Sequence, residues 1–160
     1  MTTRILIDGD ACPVVDTIVE VSAQVGVSVL LFRSYDHFSY QSYPEHVHIK
    51  YIDGGRDAVD FALLRETQSA DIIITQDYGL ASLALNKAAY VLHHKGYRYT
   101  TQNIEQLLLQ RFYHQQERQA TKRYGKGPKP FTAVQRQAFK DKLLQTLGHL
   151  GLDKSSNHKA

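Results

Sequence analysis

What this chain lacks already excludes several classes. It has a single cysteine, Cys12, among its 160 residues, so no internal disulfide can form and a paired-cysteine zinc site is ruled out. A chain of that kind suits a reducing cytoplasm. No run of 18 apolar residues occurs, and shorter runs do not cross a bilayer core as a helix. The opening stretch MTTRILIDGD carries one basic residue, a strand-length apolar run and no small-residue cleavage site, which is not a secretory pattern. No internal repeat is visible, so a solenoid is not expected. Acidic residues become scarce late in the chain: residues 1–110 hold 8 Lys/Arg against 13 Asp/Glu, and residues 111–160 hold 11 against 3.

The composition that remains is that of one globular domain. The length fits a single core, and 42% hydrophobic residues is ordinary for one. The charge asymmetry describes an acidic body with a basic arm, and such an arm meets nucleic acid or serves only as a solvated tail.

Apolar patterning supplies the order of elements. RILI at 4–7, VSVLLF at 27–32, HVHIKYI at 46–52, ADIIIT at 70–75 and AAYVLHH at 88–94 read as strands. The third is expected nearer an edge, because it alternates. Helices are expected from Pro13 to Val25, ended by Gly26, over 56–68 through Ala58, Phe61, Ala62 and Leu64, and over 80–87. Another is expected after Thr101 as its cap, and a last one over 132–147 capped by Thr132. Strands alternating with helices predict an α/β fold, three layers α/β/α around a mostly parallel sheet. Roughly from Gln115 the residues turn polar, with Gly and Pro, and read as a loop. The expected division is a body over 1–115, a basic loop and final helix over 116–147, and a flexible tail over 148–160.

In an open α/β sheet, ligands bind beyond the carboxyl ends of the strands. Asp8 and Asp10 follow the first strand and Asp77 follows ADIIIT. Asp57 and Asp60 lie on the helix after the third strand, three apart and so on one face. Carboxylates gathered there would repel one another unless a cation lay among them. Hard oxygen donors select Mg²⁺ or Mn²⁺, which can activate water against a phosphodiester. The plainer reading of Asp10 or Asp57 is a helix cap. Zinc at His37, His46, His48, His93, His94 and Cys12 is disfavoured, since no pair has a recognised spacing. Cys12, placed just before Pro13 at a helix start, is expected to have a lowered pKa, although packing is its favoured role.

ILIDGDACPV, GRDAVDFAL, ADIIITQDYGLASLAL with AAYVLHHKG, and KGPKPFT resemble the YaiI/YqxD family of bacterial proteins, over about Ile5 to Phe139. That family's fold is similar to PIN and NYN ribonuclease domains. The resemblance implies that Asp8, Asp60 (or Asp57) and Asp77 are the catalytic acids, with Thr75 just before the last of them. A further acid of such nucleases falls at Gly79 here, a departure that Asp10 could offset. Substrate would be held by Thr75, Arg56, Lys122, Arg123, Lys126 and Lys129, with Tyr124 or Phe131 stacking a base. In the plainer reading KGPKPF is a strap packed on the body.

Three functions follow as expectations. The first is a metal-dependent nuclease acting on RNA. The second is a nucleic-acid-binding or regulatory module without turnover. The third is a phosphatase of haloacid dehalogenase type, in which Asp8 is the nucleophile and Asp10 the acid/base.

Overall fold

Ile, Leu and Val at successive positions make strands here because helices cover both faces of the sheet. The computed structural model describes residues 2–121 and 130–153. Lys122, Arg123, Tyr124, Lys126 and Lys129 lie outside the described residues, as does the Arg56 side chain. Five strands, β1 (Arg4–Asp8), β2 (Ser28–Ser34), β3 (Val47–Ile52), β4 (Ile72–Ile74) and β5 (Tyr90–Leu92), form one sheet in the order β3-β2-β1-β4-β5. All four pairings are parallel, and β3 is an edge strand as its alternation predicts.

The helices are α1 (Val15–Val25), α2 (Arg56–Glu66), α3 (Tyr78–Ala84), α4 (Ile104–Thr121) and α5 (Ala133–His149). Strand side chains alternate between faces, and two cores result. Ile5, Ile7, Val29, Leu31, Ile72 and Ile74 bury against Ile18 and Val21 of α1 and Phe139, Leu143 and Leu147 of α5. Leu6, Leu30, Phe32, Ile73 and Val91 bury against Val59 and Leu63 of α2, Leu80 and Ala84 of α3, and Ile104 of α4. The expected three-layer α/β/α architecture is therefore present. Among the described residues, no helix is long and apolar enough to cross a membrane.

Local chemistry sets the boundaries. Gly26 ends α1 with φ 72°, a left-handed geometry that suits glycine. Thr132 caps α5 in a capping box, its side chain accepting from the Gln135 N–H while the Gln135 side chain accepts from the Thr132 N–H. At α4 the cap is Thr100, not Thr101: Thr100 Oγ1 accepts from the Asn103 N–H at 3.1 Å, and Asn103 Oδ1 accepts from the Thr100 N–H at 2.9 Å. The loop expected from Gln115 is helical through Thr121. Gln, Glu, Arg and Ala are strong helix formers, and they outweigh the lack of an apolar face. On α2 the buried pair is Val59 and Leu63, while Phe61, expected on the inner face, is 65% exposed.

The two edges of this sheet differ in what they hold. At its amino edge Asp71 is fully buried and accepts from Arg4 Nε at 3.1 Å and Nη2 at 2.8 Å. Arg4 also reaches Glu66 Oε1 at 3.1 Å. At the carboxyl edge, the chain moves outward from β1 to β2 and β3, then returns to the other side of β1 for β4. The crevice between β1 and β4 is a topological switch point.

Candidate functional site

Register decides what meets at that crevice. Ile7 pairs with Ile74, so one residue later Asp8 comes level with Thr75. Thr75 is only 2% exposed, and its hydroxyl donates to Asp8 Oδ2 at 2.8 Å. The same hydroxyl accepts from the Asp77 N–H at 3.0 Å. The Thr75 carbonyl accepts from the Tyr99 hydroxyl at 3.0 Å. Burial first, then the charges around it, pushes the Tyr99 phenol well above its ordinary pKa, so it remains a donor. A four-residue hydrogen-bonded chain thus ties the end of β1 to the start of α3. Asp77 itself caps α3, with Oδ1 accepting from the Leu80 N–H at 3.1 Å, and Arg111 Nη1 of α4 stands 3.7 Å from that oxygen.

Asp10 is delivered by a tight turn. A Cβ at Gly9 would lie 2.6 Å from Leu31 Cδ1 and 2.7 Å from the Phe32 carbonyl oxygen, so only glycine lets the chain pass this close to β2. Beyond it, Ala11 sits at φ 60°, a left-handed conformation that a residue with a Cβ adopts at a cost of about 1–3 kcal/mol. Both carboxylate oxygens of Asp10 accept from the Ser34 N–H, at 3.2 and 3.3 Å, and His37 Nδ1 lies 3.3 Å from Oδ1. Asp10 is not a cap of α1, whose cap position is Val14, with no side-chain bond.

The expected single acidic pocket is divided in two. Asp8 and Asp10, with Asp36, His37 and Ser34, line one recess of about 260 Å³. Asp57 and Asp77, with Tyr78, Arg111, Gln115 and Arg118, line a second of about 430 Å³. Asp60 is half-buried on α2 with its Oδ1 shielded from solvent, and it is not among the described lining of either recess. Asp57 is exposed in the first turn of α2, whose cap position is Gly55. Among the described residues, no three His, Cys, Asp or Glu side chains converge as a full protein cage for an ion would need. Mg²⁺ does not need such a cage: one or two carboxylates, with water and substrate phosphate oxygens completing its shell, are its usual donors. The carboxylates of Asp8, Asp10 and Asp36 in the first recess, beside His37, fit that donor set.

Gly79 lies beside Asp77, where the resemblance puts a further acid. A Cβ there would be 3.2 Å from Asp77 Oδ1 and 4.0 Å from Arg111 Nη1. A side chain at 79 would therefore enter the second recess, and glycine leaves that room to the arginine.

Sequence reasoning passed over Gln76, Arg111 and Arg118. Gln76 lines both recesses and a third, of about 510 Å³, formed with Ala11, Pro13, His94, Lys95, Phe131 and Gln135. The spacing of Arg111, Gln115 and Arg118 at i, i+4 and i+7 was the available signal, hidden by reading the residues from about Gln115 as a loop. Phe131 is half-buried, with His94 edge-on at 5.5 Å and Arg136 over its ring at 5.4 Å. This end of the KGPKPF segment is packed on the body.

The histidines at the end of β5 are neutral. Burial foremost, then the charges at His94 and Lys95, lowers His93 to about 3, and burial with Lys95 lowers His94 to about 4. His93 stacks on Tyr97 at 4.5 Å and its Nδ1 accepts from the Lys95 N–H. The expected lowered pKa of Cys12 is reversed: burial, reinforced by the charge of Asp8, pushes it up to about 11. Helix α1 begins three residues later, so its dipole does not offset the desolvation.

Residues 6–149 match the family described as "Uncharacterized BCR, YaiI/YqxD family". The chain is similar to a UPF0178 protein of Staphylococcus aureus (strain bovine RF122 / ET3-1), 47% identical over 145 residues, which span 91% of this chain and 95% of that one. It is 46% identical, over the same shares, to a UPF0178 protein of Staphylococcus aureus strain JH9. No solved structure matches it.

Proposed function

The chain belongs to the YaiI/YqxD family, and from that premise and the carboxylate edge we propose that it is a divalent-metal-dependent nuclease hydrolysing RNA phosphodiesters. One observation carries the reading: the Asp8–Thr75–Asp77 chain crosses the switch point with an acidic recess on one side and an arginine-bearing recess on the other. Asp8 and Asp10 would hold Mg²⁺ or Mn²⁺, with Asp77 and Asp57 as the acids of the neighbouring recess. A bound ion would supply charge neutralisation and a water of lowered pKa. Thr75 donates to the Asp8 carboxylate and fixes its direction. Asp10, clamped by the Ser34 N–H, keeps its carboxylate turned toward the same recess.

The test is cleavage of a labelled single-stranded RNA by the purified protein with Mg²⁺, Mn²⁺ or EDTA, beside Asp8→Asn and Asp77→Asn. Metal-dependent cleavage is expected, with the Asp8 variant losing more than the roughly 10–100-fold that loss of an outer partner costs a metal site. No cleavage with either ion would sink the reading. A phosphoryl group trapped on Asp8 would instead favour the phosphatase chemistry.

A second reading draws on a separate observation. Arg111 lies beside Asp77 in the room that Gly79 leaves, an arrangement that suits holding an anion without turnover. RNA binding retained by Asp8→Asn and Asp77→Asn, with no cleavage by the wild type, would select it.

A further inference from the structure

The basic half of the chain reaches the edge along a helix. Every described side chain from Leu109 to Ala120 on α4 is exposed, so this part of the helix stands clear of the core. Arg111, Gln115 and Arg118 share one face of it, and that face walls the second recess opposite Asp57 and Asp77. Arg111 and Arg118 are separated by about 10 Å of helix rise. Both are arginine, whose planar fork matches phosphate oxygens in a way that lysine does not. The 3.7 Å pairing of Arg111 with Asp77, on an arginine side chain 48% exposed, adds under about 1 kcal/mol of stability. Holding the fold is thus a weak reason for an arginine at this position. Beyond the helix the sequence continues through Lys122, Arg123, Lys126 and Lys129.

We infer that this face of α4 is a phosphate track: Arg111 and Arg118 bind backbone phosphates of single-stranded nucleic acid and lead the strand to the Asp8–Thr75–Asp77 edge. The inference rests on the proposed function for its choice of polyanion, since the track ends at a hydrolytic edge. A recess of about 430 Å³ is within the roughly 300–1,000 Å³ of small-ligand sites, a scale that suits the exposed base and sugar of a single strand. Asp57 and Asp77 on the facing wall repel a phosphate, so the strand lies toward the arginines.

The test measures binding in EDTA, where neither cleavage nor a metal contributes. Fluorescence anisotropy of labelled 12-nucleotide single-stranded RNA and DNA of matching sequence is followed against KCl, with the full chain and with Arg111→Gln/Arg118→Gln. Two lost phosphate contacts on a single strand, at about 0.7 each, lower the slope of log K against log[salt] by about 1.4. The ratio of Kd at 200 mM to Kd at 50 mM then shrinks about sevenfold. The fall is expected equally for RNA and DNA, because phosphate contacts carry no sugar information. Arg111→Lys/Arg118→Lys should restore the slope, and Asp77→Asn should tighten binding. An unchanged slope, a fall with one polymer only, or displacement of the oligonucleotide by polyglutamate as readily as by unlabelled RNA overturns the inference. A lowered slope in EDTA, with no cleavage in the separate assay with Mg²⁺ or Mn²⁺, leaves the track standing and removes the nuclease. Cleavage with an unchanged slope does the reverse.

Discussion

Thr75 is the residue on which the edge turns. Its one hydroxyl is a donor to Asp8 and an acceptor for the Asp77 N–H. Thr75→Val keeps the shape and removes both hydrogen bonds, so a loss of about 1–3 kcal/mol is expected by urea denaturation. If the edge holds a cation, Mn²⁺ affinity measured by calorimetry should fall about 10–100-fold. Thr75→Ser should recover both, and a valine variant as stable as the wild type would refute the linkage. Cys12 gives a second check. With its thiol pushed up to about 11, almost no thiolate exists at pH 8. Iodoacetamide should therefore modify the native protein far more slowly than the urea-unfolded chain, and equal rates would contradict the burial.

Element boundaries follow from single polar contacts. Thr132→Ala removes the α5 capping box and should cost about 1 kcal/mol, read as a lower midpoint in thermal unfolding. The strands, the first three helices, Gly26 and Thr132 were legible in the sequence because each is fixed by local apolar period or cap chemistry. The distal half of α4 was not legible, since a helix that buries nothing has no periodic signal and only propensity speaks for it. The site was half legible. Carboxylates at strand ends can be read from the chain, and Asp8 and Asp77 do stand at one crevice. Their separation into two recesses depends on where Asp10 and Arg111 turn, which is tertiary. Thr75 lies one residue past a buried strand, yet only the Ile7–Ile74 register brings it to Asp8.

At the scale of the molecule, the sheet is pinned at its amino edge by a buried charge and loosened by acid near its carboxyl edge. Asp71→Ala leaves the Arg4 guanidinium without its buried carboxylate, and a loss of about 3–5 kcal/mol is expected by chemical denaturation. His93 and His94 have folded pKa values of about 3 and 4, depressed below 6.5. The unfolded chain takes up protons first, so their contribution is complete above about pH 6.5 and is lost as pH falls toward 4 and then 3. His94→Gln should flatten that acid limb of a stability–pH curve, and an unaltered limb would place its origin in the carboxylates.

Helix α5 gives the architecture a direction in time. Phe139, Leu143 and Leu147 fill the same core as β1 and α1, and the α5 backbone runs so close to Gly96 that a Cβ there would meet the Ala138 carbonyl carbon at 2.7 Å. Ribosomes deliver the chain from its amino end, so Ile5, Ile18 and Val29 emerge more than a hundred residues before their last covering layer. During translation that face of the sheet has α1 over it but not α5, and its core closes when Phe139, Leu143 and Leu147 arrive.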